Sequence, residues 1–353
     1  MLSSLPRYDT SQTYQWNYDH PPDWQSPDLD AIDIPMVDGD WQLCGVPIAS
    51  PLGISAGPLL NGDWCLYYSR LGFDVLTYKT VRSRQRACYP QPNLVPVDCD
   101  QIDGEQRFVN TANQMNQSWA VSYGMPSADP EFWRRDVERT RRLLASEKRL
   151  SVSVVGTMQE GWSIDELASD YAQCAKWAFE SGADFVETNF SCPNVSTCDG
   201  QLYQNPESSA IVAQAVRASI GDTPLILKIG HVCDKAAARQ FVAAVGPIAD
   251  AFAMTNSIAA VIRHGENEMF DGQPRGICGD AIRESSVSQV ALFSAVIGDA
   301  GWSTQLIGVG GIHRAAHVGC YLSAGATACQ LATSAMLDPA VAISIRQELH
   351  RLT

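Results

Sequence analysis

The chain has 353 residues, 45% of them apolar and 18% charged, with a formal net charge of −14. That balance supplies a large core and argues against nucleic acid or an anionic membrane as partner, while leaving room for a local basic pocket that holds one phosphate. The 11 cysteines are odd in number and include no Cys-x-x-Cys pair, which argues against a zinc ribbon, an iron–sulfur cluster and a disulfide framework, and fits a reducing cytoplasm.

The start, Met1-Leu-Ser-Ser-Leu-Pro6, lacks the basic end and apolar centre of a signal peptide. No apolar stretch is long enough to span a bilayer. Residues 1–40 are polar, aromatic and rich in Pro and Asp. They read as an extension that wraps the surface or meets a partner subunit, with Trp16, Tyr18 and Trp24 favouring packing over a disordered tail. Residues 41–48 predict a short hairpin. Apolar runs then fall at residues 52–56, 74–79, 150–155, 184–187, 224–229, 251–256, 305–309 and 326–331. Between them, Ser163-Ile-Asp-Glu166 is a capping-box start, and Gly182 a C-cap. Residues 207–220 have helical spacing and stop at Gly221, with Pro224 just beyond. Residues 234–245, 284–300, 314–324 and 339–351 also suit helices.

Eight strand–helix units predict an α/β fold, a (β/α)8 TIM barrel over residues 41–353, with a doubly wound sheet as the alternative. Residues 80–130 read as a long irregular insertion after the second strand, of the kind that forms lids or binding loops.

In a parallel barrel, chemistry sits at the C-terminal ends of the strands. The fourth run delivers Asn189-Phe-Ser-Cys-Pro-Asn194 to such an end. This is either a tight turn around a buried thiol or two amides and a reactive Cys192 presented to a ligand. The other ends bring Ser55, Ala56 and Gly57; Lys79 and Thr80; Lys228; Asn256 and Ser257; Gly310 and Gly311; and Ala332 and Thr333. The glycine pair and Thr333 suit a phosphate after strands seven and eight, or else only tight turns. Two lysines ending apolar strands are costly to bury without an anionic partner. One alternative is a Schiff-base lysine. The asparagines, with Ser257, form a neutral hydrogen-bonding set suited to an imide ring such as a pyrimidine. No metal-ligand motif is present.

These residues, in this order, resemble the dihydroorotate dehydrogenase family, over roughly residues 41–350. The resemblance rests on Asn189-Phe-Ser-Cys-Pro-Asn194, Pro51-Leu-Gly-Ile-Ser-Ala-Gly57, Tyr78-Lys-Thr80, Leu227-Lys-Ile229, Thr255-Asn-Ser257, the loop from Gly276 to Gly279, Gly308-Val-Gly-Gly311 and Gln330-Leu-Ala-Thr333. It implies a barrel holding FMN, with Cys192 as general base in place of the serine of membrane-linked members. It further implies Lys79 between substrate and flavin, and Lys228 near the flavin's pyrimidine edge. Asn189, Asn194, Asn256 and Ser257 would hold a dihydropyrimidine. Ser55, Ala56, Gly57 and Gly279 would line the isoalloxazine and ribityl chain, and Gly310, Gly311, Ala332 and Thr333 the phosphate. A cytoplasmic homodimer is the form the resemblance suggests.

Two departures from the family pattern are visible. Arg86-Ala-Cys-Tyr-Pro90-Gln-Pro92-Asn93 lacks the closing arginine, and Val121-Ser-Tyr-Gly124 stands where relatives carry Asn-Ser-x-Gly. Asn113 or Asn116 is expected to supply the missing amide, unless that contact is absent. The sequence therefore admits four readings: oxidation of dihydroorotate, the same flavin chemistry on another dihydropyrimidine or cyclic amide, a phosphate-binding Schiff-base lyase, and a catalytically inactive barrel used as a binding module, which the retained thiol, lysines and asparagines disfavour.

Overall fold

The computed structural model describes residues 5–191 and 201–352. Eight parallel strands close into a ring in chain order. They are β1 (Leu52–Ile54), β2 (Val75–Val81), β3 (Arg149–Val154), β4 (Phe185–Asn189), β5 (Leu225–Lys228), β6 (Ala251–Met254), β7 (Gln305–Val309) and β8 (Ala328–Leu331). Pairing of Gln330 with Gly53 and Leu331 with Ile54 closes the ring between β8 and β1. Eight helices cover its outside: α1 (Gly62–Ser69), α2 (Pro130–Leu143), α3 (Ile164–Glu180), α4 (Pro206–Ile220), α5 (Lys235–Val245), α6 (Arg283–Ala300), α7 (Ala315–Ser323) and α8 (Val341–Leu352). The fold is a (β/α)8 barrel, as the spacing of the apolar runs predicts.

Local chemistry explains where the helices begin and end. Ser163 and Glu166 form the reciprocal capping box of α3. Asn205 caps α4 ahead of Pro206, and Asp234 caps α5 through two backbone N–H groups. α6 ends at Gly301, which is left-handed.

The barrel interior changes character along its axis. Alternate residues of each strand point inward. At the N-terminal end these are apolar: Val75, Phe185, Ile226, Ala251, Ile307 and Ala328 pack with Leu43 and Ile48 in one buried cluster. Leu43 belongs to the expected hairpin, Gln42–Leu43 paired with Val46–Pro47, which plugs that end. Towards the C-terminal end the inward positions turn polar, with Ser153, Glu187, Asn189, Lys228 and Gln330 all buried.

The insertion after β2 corrects the sequence reading. Residues 80–130 are not an irregular loop but carry strands Leu94–Asp98, Phe108–Thr111 and Ser118–Val121. These join Ile258–His264 and Arg275–Gly279, which leave the barrel after β6, in a ring of five pairings. Gly276 to Gly279, expected as a loop, is therefore strand. A separate apolar cluster fills this small sheet, with Val95, Val97, Val109, Ala120, Ile262 and Ile277. Its strands are short, and two of its five pairings join the first insertion to the second across more than a hundred residues, so local periodicity carries little of the signal.

The N-terminal segment packs against α1 and the first insertion. Tyr8, Tyr14, Asn17 and Leu29 are buried. Trp64 donates from its indole to the Asn17 carbonyl at 3.0 Å, and Tyr67 from its hydroxyl to the Pro6 carbonyl at 2.7 Å. At the barrel's base a buried carboxylate ties the chain's two ends together. Asp74 accepts from Lys148 Nζ at 2.7 Å, and from the Ser50 hydroxyl and the Arg346 guanidinium. Arg346, on α8, also donates to the carbonyls of Gly72 at 2.7 Å and Pro35 at 2.9 Å. Removing one partner of a buried ion network leaves uncompensated charge, so Asp74→Ala is expected to cost about 3–5 kcal/mol. Urea unfolding checks this, and a loss under about 0.5 kcal/mol, the range of ordinary surface substitutions, contradicts it.

Candidate active site

One cavity opens at the C-terminal end of the barrel, with about 1110 Å³ of empty space including its mouth. Ser55, Ala56, Gly57, Lys79, Thr80, Asn189, Lys228, Asn256, Ser257, Gly279, Gly310, Gly311, Ala332 and Thr333 all line it. Residues from seven strand ends thus meet, with Gly279 added by the second insertion. Cys192 and Asn194 lie outside the described residues. Asn116 is not brought to the cavity. Its amide donates to the Val97 carbonyl at 2.9 Å and accepts from the Ser118 N–H at 2.8 Å, so it serves the small sheet. Asn113 is exposed.

The end of β4 is braced from both sides. Asn189 accepts from the Ser191 N–H through Oδ1 at 3.1 Å, and its amide nitrogen lies 3.5 Å from Thr80 Oγ1. Asn256 donates from its side chain to the Ser191 carbonyl. Gln289 holds the β5 and β6 ends together: it accepts from Thr255 Oγ1 at 2.9 Å and donates to the Gly230 carbonyl at 2.8 Å. The Asn189 and Asn256 contacts fix the backbone at Ser191, where the chain leaves β4.

At the β7 and β8 ends the backbone approaches the cavity closely. Gly311 has φ +64°, and a Cβ there would lie 2.6 Å from Arg283 Cβ. Gly279 has φ +93°, and its Cβ would lie 2.0 Å from the Gln117 carbonyl oxygen. Only glycine fits either position. The Thr333 hydroxyl opens the helix Thr333–Leu337 and lies 3.6 Å from Cys278 Sγ. Burial pushes the Cys278 thiol up to about 11, which keeps it protonated at neutral pH.

The wall from 121 to 125 explains one of the two sequence departures, Asn93. Asn93 donates to the carbonyls of Tyr89 at 3.0 Å and Ser122 at 2.9 Å, so it clamps the loop. Val121, Tyr123, Gly124 and Met125 line the cavity, and Tyr123 donates to the Tyr8 hydroxyl at 2.9 Å. Trp119, Tyr123, Met125 and Cys278 are wall residues that sequence reasoning missed. Their sole signal was proximity to motifs already noted.

The donor set and the shape suit a flat polar cofactor with a phosphate tail. Gln330 lines the cavity, and its buried Oε1 has no partner, an acceptor waiting for an N–H. The glycine turns and Thr333 line the same cavity. Asp280, His313 and His317 place ligand atoms within 4.8 Å of one another, yet Arg283 pairs with Asp280 and Arg314 with His317, so cations already fill that cluster.

Residues 40–352 match the family model described as dihydroorotate dehydrogenase. The dihydroorotate dehydrogenase of Dictyostelium discoideum is 31% identical over 324 residues, covering 85% of each chain. The catalytic subunit of dihydroorotate dehydrogenase B (NAD(+)) from Desulforudis audaxviator is 25% identical over 315 residues, covering 88% of this chain and 90% of that one. Among solved structures, DHODH from Eimeria tenella in complex with ferulenol superposes with a TM-score of 0.75 over 96% of this chain and 89% of that one. At 17% identity that likeness speaks to the fold.

His317 supports the glycine turn and makes it sensitive to acid. Arg314 Nε donates to its Nε2 at 2.8 Å, which places the ring proton on Nδ1, 3.1 Å from the Gly311 carbonyl. Burial first, then Arg283, pushes its pKa down from 6.5 to about 4. His317 is therefore neutral when folded and takes up a proton on unfolding between those values. Its contribution is complete above pH 6.5 and is lost as pH falls towards 4. Urea midpoints should decline over that window, and His317→Gln should flatten the decline. Equal pH slopes in the two proteins contradict the assignment.

Proposed function

The chain belongs to the dihydroorotate dehydrogenase family of oxidoreductases, and on that premise we propose that it oxidises dihydroorotate to orotate with FMN as its flavin. The observation that carries this reading is the convergence of fourteen sequence-predicted side chains and glycines on one barrel-mouth cavity. Family membership sets aside the Schiff-base lyase.

In this reading the protein's residues divide the work along the cavity. Gly310, Gly311, Ala332 and Thr333 hold the phosphate through backbone N–H groups and a hydroxyl. Ser55, Ala56, Gly57 and Gly279 would line the isoalloxazine and ribityl chain, and Lys228 would supply a positive charge near the flavin's pyrimidine edge. Asn189, Asn194, Asn256 and Ser257 bind the substrate ring by its amide groups, with Lys79 between substrate and flavin. Cys192 removes the proton from C5 of dihydroorotate as the C5–C6 double bond forms. When bound, FMN supplies the acceptor for the hydride that leaves C6. Residues 1–40 form an extension to a barrel of residues 41–353 in this scheme. No helix among the described residues is long and apolar enough to cross a membrane.

A second reading keeps the flavin and changes the substrate. It is favoured by Val121, an apolar residue in the cavity wall where the family resemblance leads one to expect an asparagine. Anaerobic addition of dihydroorotate should bleach the flavin absorbance, while dihydrouracil and dihydrothymine leave it. The opposite pattern transfers the proposal to the second substrate class. Cys192→Ala should retain FMN and slow flavin reduction by ~10²–10⁴-fold, the usual loss for a positioned base. Near-normal stopped-flow reduction in that variant removes Cys192 from the role. Thr333→Val should instead release FMN more readily on dilution, read by its fluorescence.

A further inference from the structure

Glu187 lies two residues before Asn189 on β4, and the strand's alternation sends Phe185, Glu187 and Asn189 to the same inner face. Phe185 packs in the apolar plug, and Asn189 lines the cavity. Glu187 sits between them with no exposed surface, and neither carboxylate oxygen has a hydrogen-bond partner. The charge facing it is Lys228 Nζ on the neighbouring strand, 4.0 Å from Oε1. Lys228 is itself buried and lines the cavity floor.

A buried carboxylate without hydrogen bonds is rare in native proteins and calls for a reason. Fold stability is a poor one, since a buried ion pair seldom outdoes an apolar pair of the same size. The neighbouring inward positions need no charge: Ser153 pairs in register with Glu187 on β3, and Ala253 and Ile307 occupy β6 and β7. Among the described residues, the cation within ion-pair distance of Glu187 is Lys228. At 4.0 Å the carboxylate acts by its field rather than by taking the ammonium's N–H groups, which leaves all three donors for a ligand above.

We propose that Glu187 is a positioning residue that fixes Lys228 at the cavity floor and offsets its charge, thereby setting the reduction potential of the bound flavin. The inference rests on the flavin reading given above. A cation beside the flavin favours its reduced, more negative form. A carboxylate beneath that cation weakens the effect and holds the potential down. Removing the carboxylate leaves the cation unopposed.

Two measurements on the protein as purified test this. The first is the flavin midpoint potential. Glu187→Gln should shift it to more positive values and Lys228→Met to more negative ones. The double variant should match Lys228→Met alone, because Glu187 acts through the lysine. An unchanged potential in Glu187→Gln overturns the proposal, as does the same shift with and without Lys228. The second is thermal unfolding. Each single variant should lose stability, and the double variant should recover most of it, including the case in which a single variant fails to fold and the double folds. Additive losses, or failure of the double as well, overturn it. If the wild-type protein takes up no flavin, the flavin reading fails by itself, and the unfolding cycle still decides whether Glu187 and Lys228 act as a pair.

Discussion

Closing eight parallel strands into a ring commits every second side chain of each strand to a shared interior, and that interior must be filled. Here it is filled unequally. Val75, Phe185, Ile226 and Ile307, with the hairpin residue Leu43, make a dry plug at one end. Lys79, Asn189, Lys228 and Gln330 crowd the other. The plug gives the strands a rigid base, and the polar end is tolerable only because it faces a cavity that a polar ligand can complete. Stability and chemistry thus occupy opposite ends of the same strands.

The two insertions finish what the barrel begins. Strands Ser118–Val121 and Arg275–Gly279 come from distant parts of the chain and pair with each other, which carries Trp119, Cys278 and Gly279 to the cavity rim. The N-terminal segment adds a further layer, since Tyr8 meets Tyr123 behind the wall. The mouth is therefore assembled from three separated segments, each held by hydrogen bonds to the next. Such a wall is stiffer than a loop of the same length and suits a site that must orient a flat ring.

Much of this was legible before the structure. The barrel strands are apolar runs of regular spacing, and the residues ending them are chemically unusual: lysines, asparagines and glycine pairs where a plain α/β protein would place turn formers. Those positions converge on one cavity because strand direction alone decides where a strand end points. The small sheet was not legible. Its strands are four to seven residues long, Pro92 and Pro96 interrupt their pattern, and two of its pairings join residues 94–121 to residues 258–279. Asn116 illustrates the limit: an asparagine near the expected place is engaged by Val97 and Ser118, a use that only the tertiary contacts reveal. Asn93 is the converse, a departure from a family motif that turns out to be the clamp of the wall.

The central claim is that a single cavity holds flavin and substrate in a fixed order along the strand ends. A crystal structure of the holoprotein soaked with orotate tests it most directly. The account predicts FMN with its phosphate on Gly310, Gly311 and Thr333, its pyrimidine edge at Lys228, and orotate stacked between the flavin and the 189–194 segment. Flavin density with the phosphate at another strand end, or orotate bound away from Asn189 and Asn256, would contradict it.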